Sequence, residues 1–358
     1  MGNNKKVMIG MSGGVDSSVA ALLLKKQGYD VTGVTFRLWS PDVEDDAPLS
    51  GCCSIDDVND ARKVCHQLDI PHYVFNFKEL FKEKVVDEFA ASYAKGKTPN
   101  PCINCNKHIK FDAFIQKAKS MGFDYVATGH YAYIEHDEKE STTRLRSGQY
   151  SNKDQSYVLY CITKEQLPYM LMPLGDYSKD EVRNIAEENG LVVYSKPDSQ
   201  DICFVPDGDY AGFLKNYTGS EMPKGKFVSP FGDVLGEHKG INYYTIGQRK
   251  GLGISFGTPM FVTKIDAESN TVTLGSNEAL LQNELTAKNV NWIERPEGPG
   301  PFNITAKIRY AHKASPATVY IDGDFAKVNF NEAQRAVTPG QAVVFYNGEY
   351  VIGGGTII

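Results

Sequence analysis

Nine residues near the start of the chain, Gly10-Met11-Ser12-Gly13-Gly14-Val15-Asp16-Ser17-Ser18, follow an apolar run that begins at Val7 and precede a helical pattern over 17–27 closed by Gly28. Glycines let backbone N–H groups come close to an anion. Ser12, Ser17 and Ser18 add hydroxyl donors, and a helix N-terminus adds oriented N–H groups with a positive dipole end. The loop lacks the Lys-Ser/Thr pair of a Walker motif and the spacing of a dinucleotide fingerprint. Asp16 stands at the mouth of this anion nest, where it would repel a phosphate unless a cation lies between them, so Mg²⁺ is expected with the ligand. A strand–loop–helix unit of this kind belongs in an α/β fold, with the ligand beyond the carboxyl ends of a parallel sheet.

The pattern downstream agrees. Further strands are expected at 31–38, 71–77 and 125–129, alternating with helices over 56–68, on to about 93, and over 109–121. Beyond 194 the helical periodicity fades, and β-branched or aromatic runs recur at 243–246, 260–265, 271–274, 304–310, 317–321 and 342–346. Asn347-Gly348, flanked by apolar residues, predicts a hairpin with a type I′ turn. At 358 residues the chain is long enough for two or three domains. The expected division is a parallel-sheet domain over 1–204, a small central β domain over 205–279 and a C-terminal β-barrel over 280–358.

Composition narrows the setting. No apolar run approaches the ~20 residues of a membrane helix, and the first residues lack the features of a signal peptide or lipid anchor, so a cytoplasmic protein away from membranes is expected. With 38 Lys+Arg against 44 Asp+Glu the net charge is −6, which argues against indiscriminate nucleic-acid binding but leaves room for a local basic face. The cysteines at 52, 53, 65, 102, 105, 161 and 203 are too irregularly spaced for a disulfide scaffold, and point to redox chemistry, metal binding or catalysis. Cys102 and Cys105 stand in Pro99-Asn100-Pro101-Cys102-Ile103-Asn104-Cys105-Asn106-Lys107, read as a connection between helices whose Lys107 favours thiolate. The pair could instead be half a zinc site, completed by Cys52 and Cys53. Cys65 and Cys161 fall in apolar patterns that suit buried, inert thiols, whereas Cys203 follows a polar loop.

The Ser-Gly-Gly-x-Asp-Ser loop resembles that of the PP-loop ATP pyrophosphatases, whose fold is of the adenine nucleotide alpha-hydrolase type and which split ATP between the α- and β-phosphates. With Asn100 through Phe111, Ala127-Thr128-Gly129-His130-Tyr131, Asn152 through Tyr157, Asp198 through Phe204, Tyr244 through Gly253 and Thr338-Pro339-Gly340-Gln341, the chain is similar to the tRNA-specific 2-thiouridylases from about residue 5 onward. The resemblance implies a sulfurtransferase that replaces O2 of the wobble uridine (position 34) with sulfur after adenylating it. Gly10, Met11, Ser12, Gly13, Gly14, Val15, Asp16 and Ser17 would hold ATP, with Phe36 and Gly129 lining the adenosine pocket. Cys203 would carry a persulfide received from a sulfur-relay protein, and Cys105 would be its partner nucleophile, so that each turnover ends in a reducible Cys105–Cys203 disulfide. Asn100, Pro101 and Cys102 would meet the target base. Lys153, Asp154, Gln155, Arg309 and Tyr310 would contact tRNA, the last two as a phosphate donor beside a stacking surface. A monomer is expected, with no resident metal.

One position departs from the pattern. Some family members carry Asp, the proposed acid/base group, where this chain has Cys102, and a thiol is a weaker hydrogen-bond partner. Cys102, Cys105 and Cys203 could alternatively ligate an iron–sulfur cluster that carries sulfide. Two other readings are an ATP-dependent amidating ligase, which leaves the cysteines without a role, and a non-enzymatic RNA-binding switch. The acidic stretch 40–54 is a candidate lid.

Overall fold

The computed structural model describes residues 4–39, 55–137, 142–150, 153–197, 202–205, 208–254, 257–298 and 300–358. The candidate lid, Cys52, Cys53, Asn152 and the loop 198–201 lie outside them.

In chain order the first strands are β1 (Lys6–Gly10), β2 (Asp30–Arg37), β3 (His72–Asn76), β4 (Tyr125–Ala127), β5 (Ala132–Asp137), β6 (Thr142–Ser147) and β7 (Met170–Leu171). Five of them form a sheet ordered β3-β2-β1-β4-β7, and all its pairings are parallel. The pleat of β1 sends Met8 to a core shared with Val34, Phe111, Phe114 and Val126. Val7 and Ile9 enter the opposite core with α1 (Val15–Lys26) and α2 (Ile55–Gln67), through Val19, Ala61 and Val64. Burial on both faces is why β1 and β2 read as nearly unbroken apolar runs rather than alternating ones. Strand order reverses about β1, so the crevice at the carboxyl ends of β1 and β4 receives the Gly10–Ser18 loop and Thr128-Gly129 together.

The central sheet comprises β8 (Gly225–Val228), β9 (Val234–His238), β10 (Phe261–Asp266) and β11 (Thr271–Gly275), ordered β10-β11-β8-β9 over a core of Phe227, Tyr244, Val262, Val272 and Leu274. The expected strand at 243–246 is absent. Tyr244 is buried there, but the chain turns tightly, with the Gln248 side chain accepting from the Thr245 N–H and Gly247 at φ +90°.

The C-terminal strands are β12 (Leu281–Trp292), β13 (Phe302–Lys307), β14 (Ser315–Asp322), β15 (Phe325–Arg335), β16 (Ala342–Asn347) and β17 (Tyr350–Ile357). β12 pairs with both β15 and β17, closing a six-stranded antiparallel barrel. The β5–β6 hairpin, contributed by the first part of the chain, extends the barrel sheet through Tyr350 opposite Arg146. The predicted β16–β17 hairpin exists, with a different turn. Asn347 pairs with Tyr350, so Gly348-Glu349 form the loop, and only Gly348 (φ +61°) is left-handed, which fits a type II′ turn.

Helix geometry corrects one further expectation. The Cys-x-x-Cys segment is not a connecting loop: a helix starts at Pro101 and runs through Pro101–Asn104, a wide π-helical stretch Cys105–Ala113, and Phe114–Ser120. Asn100 caps it, its side chain accepting from the Cys102 N–H at 3.1 Å, with Pro101 in the first turn where a missing N–H costs nothing.

Candidate active site

The phosphate loop is organised by its own hydroxyls. Ser17 Oγ accepts from the Ser12 N–H at 3.2 Å, and Ser18 Oγ donates to the Gly14 carbonyl at 2.8 Å. Gly13 adopts φ +74°, and a Cβ there would meet the Asp57 carbonyl oxygen at 2.3 Å, so no other residue fits this turn unstrained. A Cβ on Gly129 would lie 2.8 Å from the Ser17 N, which measures how closely the end of β4 approaches the start of α1.

A cavity of about 470 Å³ opens on this junction. Of the residues expected to hold a nucleotide, Gly10, Met11, Ser12, Gly14, Val15, Asp16, Ser17, Phe36 and Gly129 line it, and Gly13 shapes the turn behind the wall. Thr128, His130, Tyr131, Lys110, Lys179 and Lys196 also line it and were not singled out individually as ligand-binding residues. Thr128, His130 and Tyr131 flank the expected Gly129, whereas Lys110, Lys179 and Lys196 come from remote stretches of chain that only tertiary contact brings together.

Asp16 is already neutralised. Its Oδ1 accepts from the Tyr131 hydroxyl at 2.6 Å and from Lys179 Nζ at 2.7 Å, which weakens the argument for Mg²⁺ from repulsion alone. Lys196 pairs similarly with Asp57 at 2.7 Å and Asp60 at 2.8 Å. Burial acts to raise the Asp60 pKa, yet hydrogen bonds and charge from Lys196 and Lys63 bring it below the ordinary carboxylate value. Mg²⁺ characteristically takes one or two carboxylates, water and phosphate oxygens. Asp16 beside the serine hydroxyls offers a donor set of that kind. Among the described residues no group of three His, Cys, Asp or Glu side chains gathers to hold a metal by itself.

His130 is buried, and that burial, assisted by the charge of Lys110, drops its pKa well below the usual imidazole value. The ring is neutral at pH 7, with Nδ1 2.8 Å from Thr128 Oγ1.

The cysteines divide into two groups. Burial pushes the thiols of Cys65 and Cys161 up to about 12, which keeps them inert. Cys105 is buried and Cys203 half-buried, and both belong to one apolar cluster with Phe81, Phe89, Ile109 and Phe204. Phe36 and Leu38 contribute to that cluster and to the cavity wall. Cys102 is exposed as a residue, although surrounding protein desolvates its thiol enough to raise the pKa against the opposing charge of Lys110. It does not join Cys105 and Cys203 in a three-ligand set, so neither the iron–sulfur reading nor the zinc reading gains a described site.

The expected RNA contacts also separate. Lys153, Gln155 and Tyr310 line the cavity at the glycine-serine loop, Tyr310 reaching it from the barrel with 43% of its surface exposed. Gln155 Oε1 is fixed by the Tyr131 N–H at 2.9 Å. Asp154 is instead buried, accepting from the Gly148 and Ser156 N–H groups and pairing with Lys307 at 3.2 Å; it braces its loop and offers RNA no free face. Arg309 is likewise engaged internally. Its Nη2 donates to the Ile246 and Ala336 carbonyls and to Thr338 Oγ1, joining the central unit to the barrel, because the strand end carries it into a carbonyl-lined seam.

Asn100 borders a second cleft of about 770 Å³ between the Cys-bearing helix and the barrel, while Pro101 is buried. Five lysines line it (Lys84, Lys95, Lys97, Lys107 and Lys288) against Glu88 and Asp324. Lys107, expected to act on Cys105, faces this cleft rather than the cavity at the glycine-serine loop.

Three family models match the chain: a tRNA methyl transferase HUP domain over residues 5–207, a tRNA methyl transferase PRC-barrel domain over 211–276 and an Aminomethyltransferase beta-barrel domain over 282–357. The tRNA-specific 2-thiouridylase MnmA of Clostridioides difficile (strain 630) is 57% identical over 357 residues, covering 99% of this chain and 98% of that protein. Its counterpart in Clostridium acetobutylicum is 53% identical over 355 residues, covering 99% of each. Among solved structures, a 4-thiouridine synthetase–RNA complex with bound ATP aligns over 60% of this chain and 50% of that one, at 19% identity and a TM-score of 0.35.

Proposed function

The chain belongs to the tRNA-specific 2-thiouridylase family, and we propose that it replaces O2 of the tRNA wobble uridine with sulfur at the expense of ATP. The observation that most supports this reading is a shared wall: Phe36 and Leu38 line the nucleotide cavity and also pack in the cluster that contains Cys105 and Cys203. Neither thiol lines the cavity itself, but the two, about a hundred residues apart in sequence, share these wall residues with it, which supports sulfur chemistry beside a bound nucleotide.

The chemistry follows from what each step must move. O2 of the base attacks the α-phosphorus of ATP, an O–P bond forms, and pyrophosphate departs with the electron pair of the broken bridge. The Gly10–Ser17 backbone and hydroxyls hold the phosphates, and Asp16 with the serine hydroxyls would hold Mg²⁺, which supplies charge shielding to them. The terminal sulfur of a Cys203 persulfide then attacks C2, and AMP leaves with the C2–O electrons. Thiolate at Cys105 attacks Cys203 Sγ, the S–S pair passes to the sulfur on C2, and the resulting disulfide is reduced by an external thiol. Half-exposure of Cys203 lets a relay protein reach it. The lysine-rich cleft beside Asn100 suits an RNA backbone entering towards the cavity.

Single-turnover assays test the assignment. Cys203→Ser is expected to bind ATP normally and to form no 2-thiouridine, and Cys105→Ser to stall before sulfur release. Unimpaired thiolation by Cys203→Ser would refute the persulfide role. Pyrophosphate released only with tRNA identifies an adenylating enzyme, whereas orthophosphate alone would identify a switch.

A further inference from the structure

Four lysines line the nucleotide cavity, and three are engaged. Lys179 is bound to Asp16, Lys196 to Asp57 and Asp60, and Lys153 has an interaction of its own. Lys110 makes neither a hydrogen bond nor an ion pair among the described residues, although it is only half exposed. A partly buried ammonium without a counter-charge carries a desolvation cost that an arriving anion relieves.

Its placement identifies the anion. Lys110 stands on the π-helical stretch Cys105–Ala113, one widened turn beyond Cys105. It shares the cavity wall with Gly10, Phe36 and His130, and its charge acts on the His130 ring. It is therefore the cavity cation carried by the same helix as the two cysteines of the Cys-x-x-Cys pair, and lies closest in the chain to where sulfur chemistry would occur. We propose that Lys110 is a further catalytic residue whose ammonium binds the α-phosphoryl group, first of ATP and then of the adenylated uridine. This inference rests on the thiolation reading above. When sulfur bonds to C2 and the C2–O bond breaks, the departing electron pair adds one negative charge to the phosphoryl oxygens of AMP. An ammonium already in place stabilises that charge without reorganisation. No proton transfer by Lys110 is required.

The test compares Lys110→Met, which removes the charge at similar length, with Lys110→Arg, which keeps it. Lys110→Met is expected to lower both tRNA-dependent pyrophosphate release and single-turnover thiolation by about 10²–10³-fold, the cost of losing one such donor. Lys110→Arg is expected to recover most of the loss. Equal impairment in both variants, or none in Lys110→Met, overturns the assignment. A second measurement uses the unaltered protein: amine acylation followed by peptide mass spectrometry, with and without saturating Mg²⁺-ATP. Protection of Lys110 by ATP supports the contact even if Lys110→Met fails to fold, and undiminished labelling refutes it. Unaltered protein that protects Lys110 with ATP yet makes no 2-thiouridine would remove the thiolation reading while supporting the phosphate contact.

Discussion

His130 shows how much a single buried side chain contributes to the site's electrostatics. Burial first, and Lys110 second, hold its folded pKa well below that of the unfolded chain. As pH falls below about 6.5 the unfolded state takes up the proton first, so stability is complete above that value and is lost on the way down to the folded pKa. One such group accounts for up to about 1.4 kcal/mol per pH unit across that window. His130→Asn is expected to show a shallower fall of Tm between about pH 6.5 and 5 than the unaltered chain. Identical slopes would assign the acid sensitivity to His72, His108, His238 and His312, whose pKa values burial also lowers. The phosphate-loop residues that line the cavity were legible in the sequence because their loop chemistry is a local signal, and Phe36 and Gly129 were named through the family resemblance. Lys110, Lys179 and Lys196 were not, since nothing in their own neighbourhoods says that they converge on one cavity.

Gly13 brings the same reasoning to the strand–loop–helix element. Its left-handed backbone and the Asp57 carbonyl behind it leave no room for a methyl group. Gly13→Ala must therefore displace the loop or the start of α2. ATP affinity is expected to fall by at least about tenfold, read by calorimetry, with the remainder of the fold intact by circular dichroism. Unchanged affinity would mean that the loop tolerates a shift the packing does not suggest. At this scale the parallel strands were legible from continuous apolar runs, and the β16–β17 hairpin from its glycine-centred turn. The start of the cysteine helix was also written in the chain, as Asn100 followed by Pro101, but the prolines read equally well as an extended connection. Only the observed capping bond distinguishes them. Register explains the missed turn type: pairing Asn347 with Tyr350 moves the loop one residue along.

Across the whole molecule, charge and domain contact can be told apart by salt. Arg309 ties the barrel to the central unit through the Ile246 carbonyl and is anchored within the barrel by Ala336 and Thr338, next to Tyr310 at the cavity. Arg309→Ala is expected to lower Tm and leave the salt dependence of tRNA affinity unchanged. Lys97→Ala, in the basic cleft, is expected to reduce the slope of log K against log salt by about 0.7–0.9, the signature of one lost phosphate contact. A reduced slope for Arg309→Ala would restore it as an RNA contact. The sequence could not reveal this strut, or the β5–β6 hairpin on the barrel, because both depend on how separate sheets meet. The most direct measurement of the central claim is nucleoside mass spectrometry of tRNA after incubation with the protein, Mg²⁺-ATP, a persulfide donor and a thiol reductant. The account predicts 2-thiouridine at the wobble position, with AMP and pyrophosphate in matching amounts and no product from Cys203→Ser. Nucleotide turnover without 2-thiouridine, or the same yield from Cys203→Ser, would contradict it.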